Sequence, residues 1–466
     1  MIAATVPAGF TWPADFRWGA ATSAAQIEGA TAEDGKRDSI WDAFARVPGA
    51  IANGDTPDVA CDHYHRMPAD VDLIGELGLN AYRFSVSWAR VRPDDGPVNR
   101  AGLGFYDRLV DELLGRGITP WLTLYHWDLP QAVEERGGWV DRTTVERFVR
   151  YAETVYAALG DRVEHWTTFN EPFCSTYLGY AAGVHAPGRR EPKAALAALH
   201  HHNLAHGLAV ARLRDLGATS VGISLNLTNA IPADPTDPVD LDAARRVDAL
   251  WNRAFLDPLF LGRYPADFLA DVGHLGLTEV IRDGDLGAIA QRLDFLGVNH
   301  YHDDCVSGHP APGGGSTPMF VGSEFVTERL RPLPRTGMDW EVHPDGLEHL
   351  LLRLGRAYPG LPPLYVTENG AAYVDVVEPD GVHDAERTEF LELHLAAVAR
   401  AIAGGADVRG FFASSLLDNF EWAWGYDQRF GLVHVDFATQ RRTVKDSGLA
   451  YARIVAAARP ILALPA

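Results

Sequence analysis

The chain has 466 residues, 41 of them Lys or Arg and 62 Asp or Glu, so its formal net charge at pH 7 is −21. That balance excludes nucleic acid and anionic membrane surfaces as partners, because both are bound through clustered positive charge. A hydrophobic share of 47%, with 45 Gly and 29 Pro spread along the chain, excludes disorder and collagen; the 12 Trp, 15 Tyr and 20 Phe are more aromatic surface than a core needs, so some are expected to face a ligand.

The first ten residues have neither a basic start nor a long apolar run, so no signal peptide is expected. Short β-rich apolar runs then follow at 16–21, 80–86, 119–125, 165–169, 220–225, 295–298, 364–367 and 410–413. Between them lie stretches with apolar residues three and four apart, among them 69–77, 104–114, 143–159, 196–213 and 388–403, as helices with one buried face require. Strands alternating with crossover helices predict a parallel sheet, and eight of them close a (β/α)8 barrel. No Ser-rich or Pro-rich linker divides the chain, so residues 1–466 are read as one barrel domain with extended loops. The Gly-rich segment 307–318 is expected to be a mobile surface loop after the sixth strand. Cys61, Cys174 and Cys305 show no paired spacing, which predicts free thiols and a cytoplasmic protein.

A βα barrel carries its chemistry on the loops at the C-terminal ends of its strands. The fourth strand runs through Trp166, Thr167, Thr168 and Phe169 into Asn170, Glu171 and Pro172, and the seventh through Tyr365, Val366 and Thr367 into Glu368, Asn369 and Gly370. Two carboxylates therefore end two apolar strands about half a barrel apart. Glycoside hydrolysis needs such a pair, one to protonate the leaving oxygen and the other to attack the anomeric carbon or activate water. The two roles demand opposite protonation states at one pH, so the acid must be desolvated or placed beside negative charge and its partner held by cations and hydrogen bonds. Arg83, ending the second strand, is a candidate cation.

Six segments then carry a resemblance: Phe16-Arg-Trp-Gly-Ala-Ala-Thr-Ser-Ala-Ala-Gln-Ile-Glu-Gly29, Tyr82-Arg-Phe-Ser-Val-Ser-Trp88, His126-Trp-Asp-Leu-Pro130, Thr168-Phe-Asn-Glu-Pro172, Thr367-Glu-Asn-Gly370 and Leu416-Leu-Asp-Asn-Phe-Glu-Trp422. In this order they resemble family 1 of the glycoside hydrolases, the β-glucosidase family, over residues 16–446. The resemblance implies a retaining β-glycosidase without metal or organic cofactor, acting on small β-glycosides or short oligosaccharides. Its expected glycone is a terminal β-D-glucosyl residue, with galactosyl and fucosyl as further possibilities. By the same correspondence Glu171 is the acid/base and Glu368 the nucleophile, which Arg83 and Tyr301 would hydrogen-bond. Asn170 would hold the sugar 2-hydroxyl, Gln26, His126, Glu421 and Trp422 the other hydroxyls, with Asn299 a further polar neighbour and Trp340 lining the aglycone side. A pyranose has a rim of hydroxyls and apolar C–H faces, so polar forks and aromatic walls are both needed; Trp127, Trp340 and Trp422 supply the walls. A retaining pair predicts carboxyls about 5 Å apart.

Three positions depart from the family pattern. Ala25 and His300 replace aromatics, and Ser414 stands where a Trp is expected beneath the sugar. The last predicts an enlarged glycone pocket, or one filled by another aromatic such as Trp424. Three competing readings are hydrolysis of 6-phosphoglycosides, which a carboxylate at Glu421 disfavours, transglycosylation, and a non-catalytic sugar-binding protein. The run His200, His201 and His202 lacks the spacing of a metal face, and packing is the expected role.

Overall fold

The computed structural model describes residues 6–310 and 315–458. Eight parallel strands close a barrel in chain order: β1 Arg17–Ala21, β2 Ala81–Ser85, β3 Thr119–Tyr125, β4 His165–Asn170, β5 Ser220–Asn226, β6 Phe295–Asn299, β7 Leu364–Asn369 and β8 Val408–Ser414. Closure comes from β1 pairing β8, with Ala21 opposite Ser414, and β2, with Ala21 opposite Arg83. Each strand lies within a residue or two of its predicted run, because an apolar β-rich segment between polar turns is a local signal.

The helix expected at 143–159 is observed with those bounds, Thr143–Leu159, while the others are longer than periodicity alone predicts. The helix expected from residue 69 begins six residues earlier, spanning His63–Glu76 with Pro68 inside it. Proline argues for a helix start at 69, but His63, Tyr64 and Met67 are buried, and tertiary packing of that turn overrides the local penalty. Similarly, the stretch at 196–213 extends over Pro192–Asp215. No helix among the described residues is long and apolar enough to cross a membrane. Residues 311–314 of the Gly-rich segment lie outside the described residues, while its start belongs to a short strand, Asp304–Ser307.

Two apolar layers hold the barrel. Outside, the helices pack on the strands in one continuous cluster that includes Leu122, Leu124, Val366 and Leu350. Inside, Trp121 plugs the floor, its ring 4.8 Å from Phe295, 4.7 Å from Tyr365 and 5.3 Å from Phe412. Glycine makes this possible: a Cβ on Gly19 would lie 2.4 Å from the Phe412 ring, so the strand must carry no side chain there. With the floor filled, the main cavity among the described residues lies at the C-terminal ends of the strands, where Glu171, Asn299, Glu368 and Ser414 line it.

Candidate active site

The strand register breaks where β4 and β7 end. Shifts separate Thr167 from Asn170 along β4 and Val366 from Glu368 along β7. Such irregularities re-aim side chains, and here they turn Asn170 and Glu368 toward the barrel axis. Glu171, Trp127 and Trp422 take φ values of 45°, 74° and 51°, a left-handed conformation that disfavours bulky residues and is tolerated where surrounding structure over-determines it.

One hydrogen-bonded network joins both carboxyls. Arg83 Nη1 donates to Glu368 Oε1 at 2.5 Å and Nη2 to Asn170 Oδ1 at 2.5 Å. The Tyr301 hydroxyl donates to Glu368 Oε2 at 2.7 Å, so both oxygens of Glu368 accept, which suits an ionised carboxylate. Asn299 Nδ2 reaches Asn170 Oδ1 at 2.9 Å and Glu171 Oε1 at 2.7 Å, and is itself oriented by Thr367, whose hydroxyl donates to Asn299 Oδ1 at 2.6 Å. Burial, then the neighbouring Glu368 charge, push the Glu171 carboxyl up to about 8. The two carboxyls therefore sit in opposite environments, one capped by a guanidinium and a phenol, the other desolvated beside a negative charge.

Arg83 carries a prediction. Its planar fork spans two acceptors, and it is fully buried, so Arg83→Lys keeps the charge but loses one of the two bonds. The expected result is a fall of at least about 100-fold in kcat/KM with an unchanged far-UV circular dichroism spectrum; activity within a few-fold of wild type would refute the bridging role.

Asn170 settles the tautomer of His126. With its oxygen accepting from Arg83 and Asn299, its Nδ2 donates to His126 Nε2 at 3.0 Å, which leaves the proton on Nδ1, an atom with no protein partner. Burial and then the Arg83 charge hold this imidazole neutral, well below the ordinary histidine range. Gln26 Nε2 donates to Glu421 Oε2 at 3.2 Å and to Asn419 Oδ1 at 3.1 Å. Glu421 is pushed up to about 8 by burial and then by Glu368 and Glu171. Trp422 closes this end, its ring 4.3 Å from Trp127 and 5.7 Å from His126, while Trp127 Nε1 donates to the Asn170 carbonyl at 2.9 Å.

These side chains open on a cavity of about 350 Å³, of the size that holds a small ligand. Gln26, His126, Trp127, Glu171, Asn299, Tyr301, Trp340, Glu368, Glu421 and Trp422 all line it, while Asn170 and Arg83 stand behind the lining. Trp340 packs in a separate aromatic group of the lining, its ring 5.4 Å from Tyr301 and 4.9 Å from His302.

Of the three departures, only Ser414 reaches this cavity. His300 turns away, its Nδ1 bonded to the Leu227 carbonyl at 2.9 Å, and Ala25 lies outside the lining. Ser414 Oγ is 2.8 Å from the Tyr301 hydroxyl. Because Tyr301 donates its single proton to Glu368, Ser414 is the donor of that bond. Trp424 lines the cavity but is 48% exposed, which places it at the mouth.

Sequence reasoning missed several participants. Cys174 donates from Sγ to Glu171 Oε2 at 3.3 Å; its place three residues after Glu171 was the available signal. Asn419, within the last motif, fixes Gln26. Phe173 and Trp251, stacked at 3.9 Å, line the cavity from two helical segments distant in sequence. The histidine run is taken up separately, by Asp285 and Tyr264 for His200, the Trp139 carbonyl for His201 and the Ala198 carbonyl for His202.

The model of glycosyl hydrolase family 1 matches residues 9–459, nearly the whole chain. The chain belongs to glycosyl hydrolase family 1. Among relatives within the family, a β-glucosidase from Agrobacterium sp. (strain ATCC 21400) is 47% identical over 95% of both chains. A bifunctional β-D-glucosidase/β-D-fucosidase from Bifidobacterium breve is 46% identical, covering 96% of this chain and 98% of its own. The crystal structure of a psychrophilic β-glucosidase from Micrococcus antarcticus superposes with a TM-score of 0.95 at 64% identity, covering 97% of this chain and 98% of that one. The (β/α)8 architecture and the glycosyl hydrolase reading of the sequence both hold.

Proposed function

We propose that this family 1 glycosyl hydrolase is a β-glucosidase that works by double displacement, with Glu368 as nucleophile and Glu171 as acid/base. The observation that carries the assignment is the opposed setting of the two carboxyls: Glu368 accepts from Arg83 and Tyr301, whereas Glu171 is desolvated and pushed up to about 8. Glu368 Oε attacks the anomeric carbon as the glycosidic C–O bond breaks and the Glu171 proton passes to the leaving oxygen. A water then gives its proton to Glu171 while its oxygen takes the anomeric carbon from Glu368, releasing the sugar with retained configuration. Asn299 donates to Glu171 Oε1 and the Cys174 thiol, a weak donor, to Oε2, so Oε2 is the oxygen better placed to carry the transferred proton. The test is proton NMR of the first product from a nitrophenyl β-glucoside: the β-anomer appears first, and initial release of the α-anomer overturns the mechanism.

Gln26, Glu421 and the Nδ1 proton of His126 form the polar fork for the glycone, and Trp127 and Trp422 its walls, with Trp340 on the aglycone side. The cavity lining among the described residues has no Lys or Arg, which supports a neutral sugar over a 6-phosphorylated one. The three buried free thiols support a cytoplasmic setting.

A second reading, broadened glycone selectivity, is favoured by Ser414, whose small side chain leaves space in the lining. Ser414→Trp is expected to lower kcat/KM for bulkier glycosides at least about tenfold relative to the matching glucoside. A nitrophenyl glycoside panel checks this, and unchanged selectivity removes Ser414 from the specificity argument.

A further inference from the structure

The cavity extends beyond what the catalytic pair and the glycone fork use. Its lining among the described residues holds five carboxyl groups and no Lys or Arg. Three of the five, Glu171, Glu368 and Glu421, belong to the inner end. After burial, the charges that act on Glu421 are those of Glu368 and Glu171. The other two, Asp304 and Glu328, lie apart: the carboxyl acting on Glu328 is Asp304, and the charges on Asp304 are those of His302 and the neighbouring Asp303 and His300. His302 packs against Trp340, which marks this as the outer, aglycone end.

We propose that this outer end selects β-glucosides whose aglycone carries a positive charge, with Asp304 and Glu328 as the recognising groups. The inference rests on the β-glucosidase reading of the same cavity.

Asp304 is buried, yet its Oδ2 takes no hydrogen bond from the protein. The Thr228 hydroxyl beside it donates to the His302 carbonyl. His302 Nδ1 bonds the Asp303 carbonyl at 3.0 Å and stands 3.7 Å from Asp304 Oδ1, beyond hydrogen-bond reach. A buried carboxyl with one oxygen left unpaired is costly, and burial pushes Asp304 above the ordinary carboxylate range although the His302 charge and the Thr228 hydroxyl act the other way. Glu328 keeps solvent contact on the short strand Thr327–Glu328, but the cavity walls and then the Asp304 charge push it up as well. The arginines nearest in sequence are engaged elsewhere, Arg329 with the carbonyls of His309 and Glu328, and Arg331 with Glu341 and Asp303. A cation entering with the aglycone would supply the missing counter-charge, and the Trp340 face adds a surface on which cations rest favourably. An anionic aglycone would meet two carboxyls and, among the described lining residues, no Lys or Arg.

The experiment compares three substrates whose charge is insulated from the leaving oxygen by a methylene: 4-(aminomethyl)phenyl, 4-(hydroxymethyl)phenyl and 4-(carboxymethyl)phenyl β-D-glucoside. At low ionic strength and pH 7, kcat/KM is expected to fall in that order, with the cation about tenfold above the anion. The cation-to-anion ratio should approach one in the double variant Asp304→Asn, Glu328→Gln; Glu328→Gln alone, at the solvent-exposed position, should lower it part of the way and serves if the double variant misfolds. Equal rates on all three in wild type overturn the inference and leave the β-glucosidase reading intact. A ratio that survives both variants overturns it too, assigning the preference to the net charge of the whole chain. Absence of turnover on all three overturns the underlying reading.

Discussion

Glu368→Gly is expected to reduce kcat/KM for aryl β-glucosides by at least about 10⁴-fold whatever the leaving group. The residue supplies the oxygen that bonds the anomeric carbon, and no other carboxyl stands between Arg83 and Tyr301 to take over. Removing it leaves the Arg83 guanidinium bound to Asn170 and, at 3.5 Å, to the Thr367 carbonyl, so the fold should survive, which a thermal melt would verify. Steady-state kinetics on a dinitrophenyl and a methylphenyl glucoside check the prediction. A variant that hydrolyses both within tenfold of wild type would show that another group is the nucleophile.

Glu171→Ala is expected to discriminate between those same two substrates. A methylphenoxide leaves poorly without a proton, so its kcat/KM should fall by about 10²–10⁴-fold. Dinitrophenoxide needs no proton, so its kcat/KM should stay near wild type while kcat falls, because water in the second step has lost its base. The pH profile carries the sign. A carboxyl raised to about 8 is protonated, and so competent as an acid, at pH values below about 8, and this competence is lost as pH rises through that value. Wild-type kcat/KM on the methylphenyl glucoside should therefore decline on an alkaline limb near 8, and Glu171→Ala should abolish that limb. An unchanged limb in the variant, or equal losses on both substrates, would remove Glu171 from the acid role.

The opposition between the two glutamates illustrates what the sequence shows and what it does not. Both end apolar strands, so strand position identifies the pair but not which member is held as an acceptor and which keeps a proton. Resemblance to the family assigns the roles, whereas the physical cause is in the packing: Arg83 from β2 and Tyr301 beyond β6 converge on Glu368, and Asn299 and Cys174 on Glu171. Arg83, 285 residues from Glu368 in sequence, becomes its neighbour only through barrel closure. Ser414 follows the same logic. Its identity as a departure is legible from the motif, but its bond to the Tyr301 hydroxyl depends on β8 delivering it to the same wall.

Composition and periodicity alone determined the barrel, the order of its strands and, from a net charge of −21, the exclusion of polyanionic partners. These are local or additive properties: alternation and spacing report burial one element at a time, and charge is a sum. Only the tertiary structure decided that of the five carboxyls of the cavity three, Glu171, Glu368 and Glu421, act on one another around the catalytic network, while Asp304 and Glu328 neighbour each other and His302, with no Lys or Arg in the lining among the described residues. That division depends on strand register, on the breaks at the ends of β4 and β7 and on the desolvation each carboxyl receives from loops distant in sequence, and no spacing along the chain encodes those quantities.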